Sequence, residues 1–185
     1  MRPLAIRAHP IVLGVSLFLA SELMFFAGLF AAYFDLRAGS AVWPPPGTHV
    51  NVLEGTIGTV LLALSSAFAI GLTRALDRGG AAAGRPWLLA GIVSALLFVA
   101  LTIYGWSEDT FTIGSSAYGS LYFTMTGFHL FHVIAGIVLL IALFLGLRAP
   151  AFVADHRAGA EGIMYYWHFV FAVWLALYVT LYLLR

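Results

Sequence analysis

Polar positions are the exception along this chain. Five long apolar runs, at about 10–35, 51–76, 86–107, 117–147 and 161–184, are separated by short polar breaks. Runs near twenty apolar residues match the length an α-helix needs to cross a hydrocarbon core of about 30 Å. The pattern therefore predicts an all-α integral membrane protein, one domain over 1–185, built as a bundle of five transmembrane helices. Pro10 suits the first turn of the first helix. That run is too long for a signal-peptide core and shows no small-residue cleavage site, so it reads as a retained helix. Trp43-Pro44-Pro45-Pro46-Gly47 cannot continue a helix and marks the first loop, with Trp43 suited to the lipid–water interface. Asn51 reads as an N-cap, with Glu54 at capping-box spacing. The Gly-rich stretch Asp77–Arg85 reads as a flexible connection, and Trp87 and Trp106 as interface anchors of the third helix, with no span interrupted by proline. At about 1.5 Å per residue the fourth run exceeds the core thickness, so it is expected to tilt or protrude.

Composition narrows the class. The chain is 62% hydrophobic and 9% charged, where soluble domains carry about a quarter charged residues. A net charge of +1 gives no reason to expect nucleic acid as a partner. Cysteine is absent, which excludes thiolate-held copper, iron–sulfur clusters, covalent c-type haem and disulfides. Every basic residue is arginine. Five spans put Arg2, Arg7, Arg74, Arg78, Arg85, Arg148 and Arg157 on one side, against Arg37 and Arg185 on the other. The positive-inside rule then places the N-terminus in the cytoplasm. The loop arginines Arg74, Arg78, Arg85, Arg148 and Arg157 are candidates for anionic lipid headgroups, or are simply solvated.

Few groups carry chemistry inside the spans. Glu22 lies in SLFLASELMFFAGLFAAYF, at a depth where an ionised side chain costs roughly 2.5–3.5 kcal/mol on insertion scales. Alone in an apolar run, it is expected to keep its proton and to donate it to a helix carbonyl, a histidine or a hydroxyl within the bundle. His129 and His132, three apart, are expected on one face of the fourth helix. They are open to metal ligation or, more plainly, to hydrogen bonds with neighbouring helices. These histidines and His168 with one carboxylate serve one metal at most, and no metal site is assigned. His168, in YYWHF, reads as a residue snorkelling from an aromatic belt. Ala27 with Ala31, and Gly28 with Ala32, offer a surface for close helix approach. The hydroxyls Thr56, Thr59, Ser65 and Ser66 are expected to bond helix carbonyls or a neighbour.

SELMFFAGLFAAYF, WPPPG, TVLLALSSAF, FTIGSSAYGSLYFTMTGFHLFHVIAG and YYWHFVFAVW, in this order from Leu17 to Tyr182, resemble subunit III of the haem–copper oxidases, in its short five-helix bacterial form. The resemblance implies an accessory subunit that is not itself catalytic. It would carry no cofactor, with haem and copper held by partner subunits. It would lie in the bacterial plasma membrane against subunit I, with subunit II and other respiratory-complex subunits nearby, and hold phospholipids in a cleft. It would support proton uptake during oxygen reduction. Glu22 matches the family's carbodiimide-reactive buried carboxylate; Tyr118, His129, His132, Glu161, Trp167 and His168 match other motif positions. Thr102 and Gly105 stand where the family carries Gln and Glu, Phe171 stands for an aspartate, and Gly58 for an asparagine. Such departures leave room for a subunit-III-like partner of a quinol oxidase or nitric oxide reductase. Without the resemblance, a small proton transporter or channel relaying through Glu22, or a histidine-based membrane metalloenzyme, would be the readings from other classes.

Overall fold

The computed structural model describes residues 10–148 and 157–184. The expectations that rest on Arg2, Arg7, Arg185 and most of the last loop, and on the side chain of Arg157, lie outside them. Five helices long and apolar enough to span a membrane make up the described chain. We label them α1 (Pro10–Ala38), α2 (Val52–Arg78), α3 (Gly80–Glu108), α4 (Ala117–Gly146) and α5 (Arg157–Tyr178). A π-helical turn, Val179–Leu183, continues α5.

α1 is apolar on every side, so composition does not say which side packs. Burial does: Val12, Val15, Leu19, Glu22, Phe26, Leu29 and Tyr33 are the positions at least partly covered at alternating steps of three and four. That is the seam spacing of a coiled coil, and it lies against α5 and α4. Glu22 therefore sits on the packed edge of α1. Ala27, Gly28, Ala31 and Ala32 are all exposed, and no atom lies within 4 Å of where a Cβ on Gly28 would be. The small-residue pairs thus do not mediate packing within this chain, because the seam passes along the opposite side.

Asn51 caps α2, its Oδ1 accepting from Leu53 N–H at 3.1 Å. The Asp77–Arg85 connection differs from the sequence expectation. Helix persists on both sides of a single break at Gly80, whose φ of +69° only glycine adopts without strain. Ala81–Ala83 are strong helix formers, so α3 starts well before Pro86, which it carries inside. α2 and α3 then fold back on each other. Ser65 Oγ donates to Gly91 O at 2.8 Å, and Gly71 leaves room for the Trp87 ring, which lies where a Cβ would be.

Ser116 caps α4 by accepting from Gly119 N–H at 3.0 Å. α4 and α5 form the core. Gly136 lets Trp167 lie directly on the α4 backbone, its ring 2.6 Å from a would-be Cβ, and Trp167 is 1% exposed. Two tryptophans expected at the lipid–water interface pack against other aromatic rings of the bundle. Trp43 packs edge-on against Tyr33 and Tyr118, and the indole nitrogen of Trp106 is buried.

Candidate functional site

The seam of α1 brings Glu22 to α4. Its Oε2 lies 2.9 Å from His132 Nε2, and both side chains are mostly covered. The other ring nitrogen, Nδ1, lies 2.6 Å from the carbonyl oxygen of Phe128, one turn back on α4. A carbonyl only accepts, so Nδ1 must carry a hydrogen. In a neutral imidazole Nε2 is then bare, and the bond to Glu22 needs the carboxyl proton. If Nε2 carries a second hydrogen, the ring is a cation and Glu22 an anion. Either way one proton occupies the Glu22–His132 bond and the couple has no net charge. Of the three partner types the sequence left open for Glu22, the structure supplies the histidine. A neutral couple is the form a low-dielectric bundle tolerates best.

α5 closes the couple from the third side. Tyr166 donates its hydroxyl to His132 O at 2.9 Å, and Phe26 meets the imidazole edge-on at 5.3 Å. Tyr166 was legible only as one aromatic of a belt; nothing in its spacing announces a hydrogen bond to α4.

His129 does not join His132. Three residues along an α-helix rotate a side chain by about 300°, leaving neighbours about 60° apart. α1 lies on one side of that wedge, and α3 with α5 on the other. His132 therefore turns to α1. His129 turns into the core, stacked on Trp174 at 5.2 Å and edge-on to Phe98 at 6.0 Å. It is 1% exposed, and neither ring nitrogen has a hydrogen-bond partner. The shared face expected from spacing alone is split. Among the described residues no three His, Asp or Glu side chains converge on a position where a metal would sit.

The remaining positions disperse. His168 does not snorkel: its Nδ1 pairs with Ser66 Oγ at 2.6 Å, tying α5 to α2. Thr59 and Trp174 form a parallel tie, Trp174 Nε1–H donating to Thr59 Oγ1 at 2.9 Å. Tyr118 donates to Leu181 O at 3.3 Å, at the end of the bundle where α1 finishes. Glu161 is exposed and accepts from Tyr165 at 2.8 Å. Among the arginines, Arg74, Arg78 and Arg148 are exposed, and Arg148 lies over the Phe144 ring at 4.8 Å. Arg85, read from the sequence as a headgroup candidate or a solvated side chain, is partly buried. Its Nη2 donates to Leu147 O at 2.8 Å, capping the C-terminal end of α4, where carbonyls lack helical partners.

A family profile described as cytochrome c oxidase subunit III matches residues 5–185. The chain is 37% identical to cytochrome c oxidase subunit 3 of Corynebacterium diphtheriae, over 97% of its own length and 90% of that protein's. It is 34% identical to the Thermostichus vulcanus protein of the same name, over 94% and 87%. With the Lemur catta protein of that name it shares 36% identity, over 91% of this chain and 64% of the animal one.

Proposed function

The chain belongs to the cytochrome c oxidase subunit III family, and from that premise we propose that it serves a haem–copper terminal oxidase as a non-catalytic accessory subunit, docked on subunit I in a bacterial plasma membrane with its N-terminus in the cytoplasm. Haem and copper reside in the partner subunits, and this chain performs no redox step. Its part is to sustain proton uptake by the catalytic subunit. The observation that supports this reading is the Glu22–His132 couple, a single proton held in a net-neutral bond inside an otherwise apolar bundle. Within such a bond the proton can shift between carboxyl and imidazole without changing the net charge of the couple, since its alternative positions differ by one short hydrogen bond. The exposed arginines at the opposite end of α2 and α4, Arg74, Arg78 and Arg148, suit anionic phospholipid headgroups.

The test compares oxidase assembled with and without this chain. Initial turnover is expected to be similar, while activity without the chain decays progressively during sustained turnover. Equal lifetimes would overturn the proposed role. Mild-detergent purification of the chain is expected to bring haem absorbance with it. A colourless chain that carries protons across liposomes unaided would identify a transporter instead.

A further inference from the structure

A cavity of about 20 Å³ opens where α2 begins, α3 ends, α4 begins and α5 finishes. That end of the bundle lies opposite the start of α1 and away along α4 from the Glu22–His132 couple. Its walls include Glu54, Thr102, Gly105, Trp106, Asp109, Tyr122 and Tyr182, and Asn51 stands exposed at its rim. The space suffices for one water molecule, which needs two to four polar partners. Two of the lining residues each carry a side-chain atom that is almost fully screened from solvent and has no hydrogen-bond partner: the donor Trp106 Nε1 and the acceptor Asp109 Oδ2. A buried donor and a buried acceptor without partners, carried by two residues of one small cavity, suit a bridging water.

The local sequence explains how two carboxyls come to share this space. Asn51 Nδ2 donates to Glu54 Oε1 at 2.7 Å, so the capping partnership runs through the Asn51 side chain. The other oxygen, Oε2, lies 2.8 Å from where a Cβ on Gly105 would be. Only the missing side chain on α3 lets Glu54 lean inward. Asp109 follows the last turn of α3, its N–H bonded to Gly105 O at 3.0 Å. Tyr182 from the π-helical turn after α5 and Tyr122 from α4 line the same space, their hydroxyls 3.4 Å apart. No arginine lines the cavity.

We propose that this cavity is a proton-binding hydration site, in which one water links Trp106 to Asp109 and Asp109, repelled by the neighbouring Glu54 carboxylate, takes one proton from the medium on that side of the membrane. The step is a simple protonation: a proton from bulk water adds to one carboxylate oxygen and is released there again. Two carboxylates without a cation repel each other when both are ionised, so the first proton bound relieves that repulsion. Burial pushes the Asp109 carboxyl up to about 6, with Tyr122 pulling it down and Glu54 pushing it further up. The folded site therefore loads as pH falls through about 6 and empties above it.

Infrared difference spectra of the full chain in detergent, recorded as pH is lowered through about 6, test the site without reference to any oxidase. Its failure would leave the family reading untouched. A protonated-carboxyl band is expected to grow in the wild type, to vanish in Asp109→Asn and to return in Asp109→Glu. Glu54→Gln removes the repelling charge and moves the band's midpoint to lower pH, by roughly half a unit or more. Trp106→Phe removes the donor that the water passes on to the carboxylate, and moves the midpoint to higher pH. Both variants keep Asp109, so they report even if Asp109→Asn folds poorly. A band indifferent to Asp109→Asn, or a midpoint indifferent to both Glu54→Gln and Trp106→Phe, overturns the proposal.

Discussion

A hydrogen bond between two titratable side chains can be removed as a bond or as a proton, and Glu22 allows the two to be separated. Glu22→Gln keeps a donor, the amide N–H, for His132 Nε2, but that hydrogen does not transfer. Glu22→Ala leaves the imidazole nitrogen buried with nothing to bond, a loss of about 1–3 kcal/mol. Thermal unfolding in detergent is expected to place the glutamine variant near wild type and the alanine variant clearly below it. Only the glutamine variant then isolates the proton, and oxidase carrying it is expected to share the shortened turnover lifetime of oxidase lacking the chain. Little of this was legible at the level of single residues. Glu22 stood out because charge in an apolar run is rare, but its partner lies 110 positions away and three histidines competed for the role. His132 and His129 look alike in sequence. They differ only in which neighbour fills the wedge on their side of α4. Ser66 and His168 gave no pairwise signal either, since a serine in a span bonds its own helix as readily as another.

At the scale of the helices, hydrophobic run length was enough. Spans near twenty apolar residues with polar breaks gave five helices, and five are found. The errors cluster where two glycines were read as a loop. One residue with positive φ turns the chain, and alanines rebuild helix at once on its far side. Helix faces were harder to read, because a helix that is apolar all round has no amphipathic stripe to orient it. On α4 the deciding position is Gly136. Gly136→Val is expected to destabilise the bundle by roughly 1–3 kcal/mol or more, since the added carbons meet the Trp167 ring and the α4 backbone cannot retreat. The loss of monodisperse protein on heating in detergent measures it. Gly28→Val, with open space around it, is the matched control and is expected to leave the isolated chain's stability unchanged.

Across the whole molecule, burial is uneven. Only 6% of the most apolar window of α1 is buried, against 44% in α4 and 50% in α5. Order of opening follows from contact, since segments with few buried contacts open first. Hydrogen exchange read by mass spectrometry is expected to label α1 peptides before those of α4 and α5. In Glu22→Ala the gap is expected to widen, because the seam loses its only hydrogen bond to His132. Uniform exchange across the three helices would contradict this.

The 110-residue interval between Glu22 and His132 also has a meaning during biosynthesis. The ribosome delivers α1 to the bilayer long before α4 has been made. At typical translation speeds the acid waits on the order of ten seconds for its imidazole. For that time the nascent helix carries an unmatched carboxyl, and whatever shelters it, translocon or headgroup water, belongs to the insertion machinery and not to the finished bundle. α4 supplies the missing partner, and α5, made last and packed most extensively on α1, completes the seam.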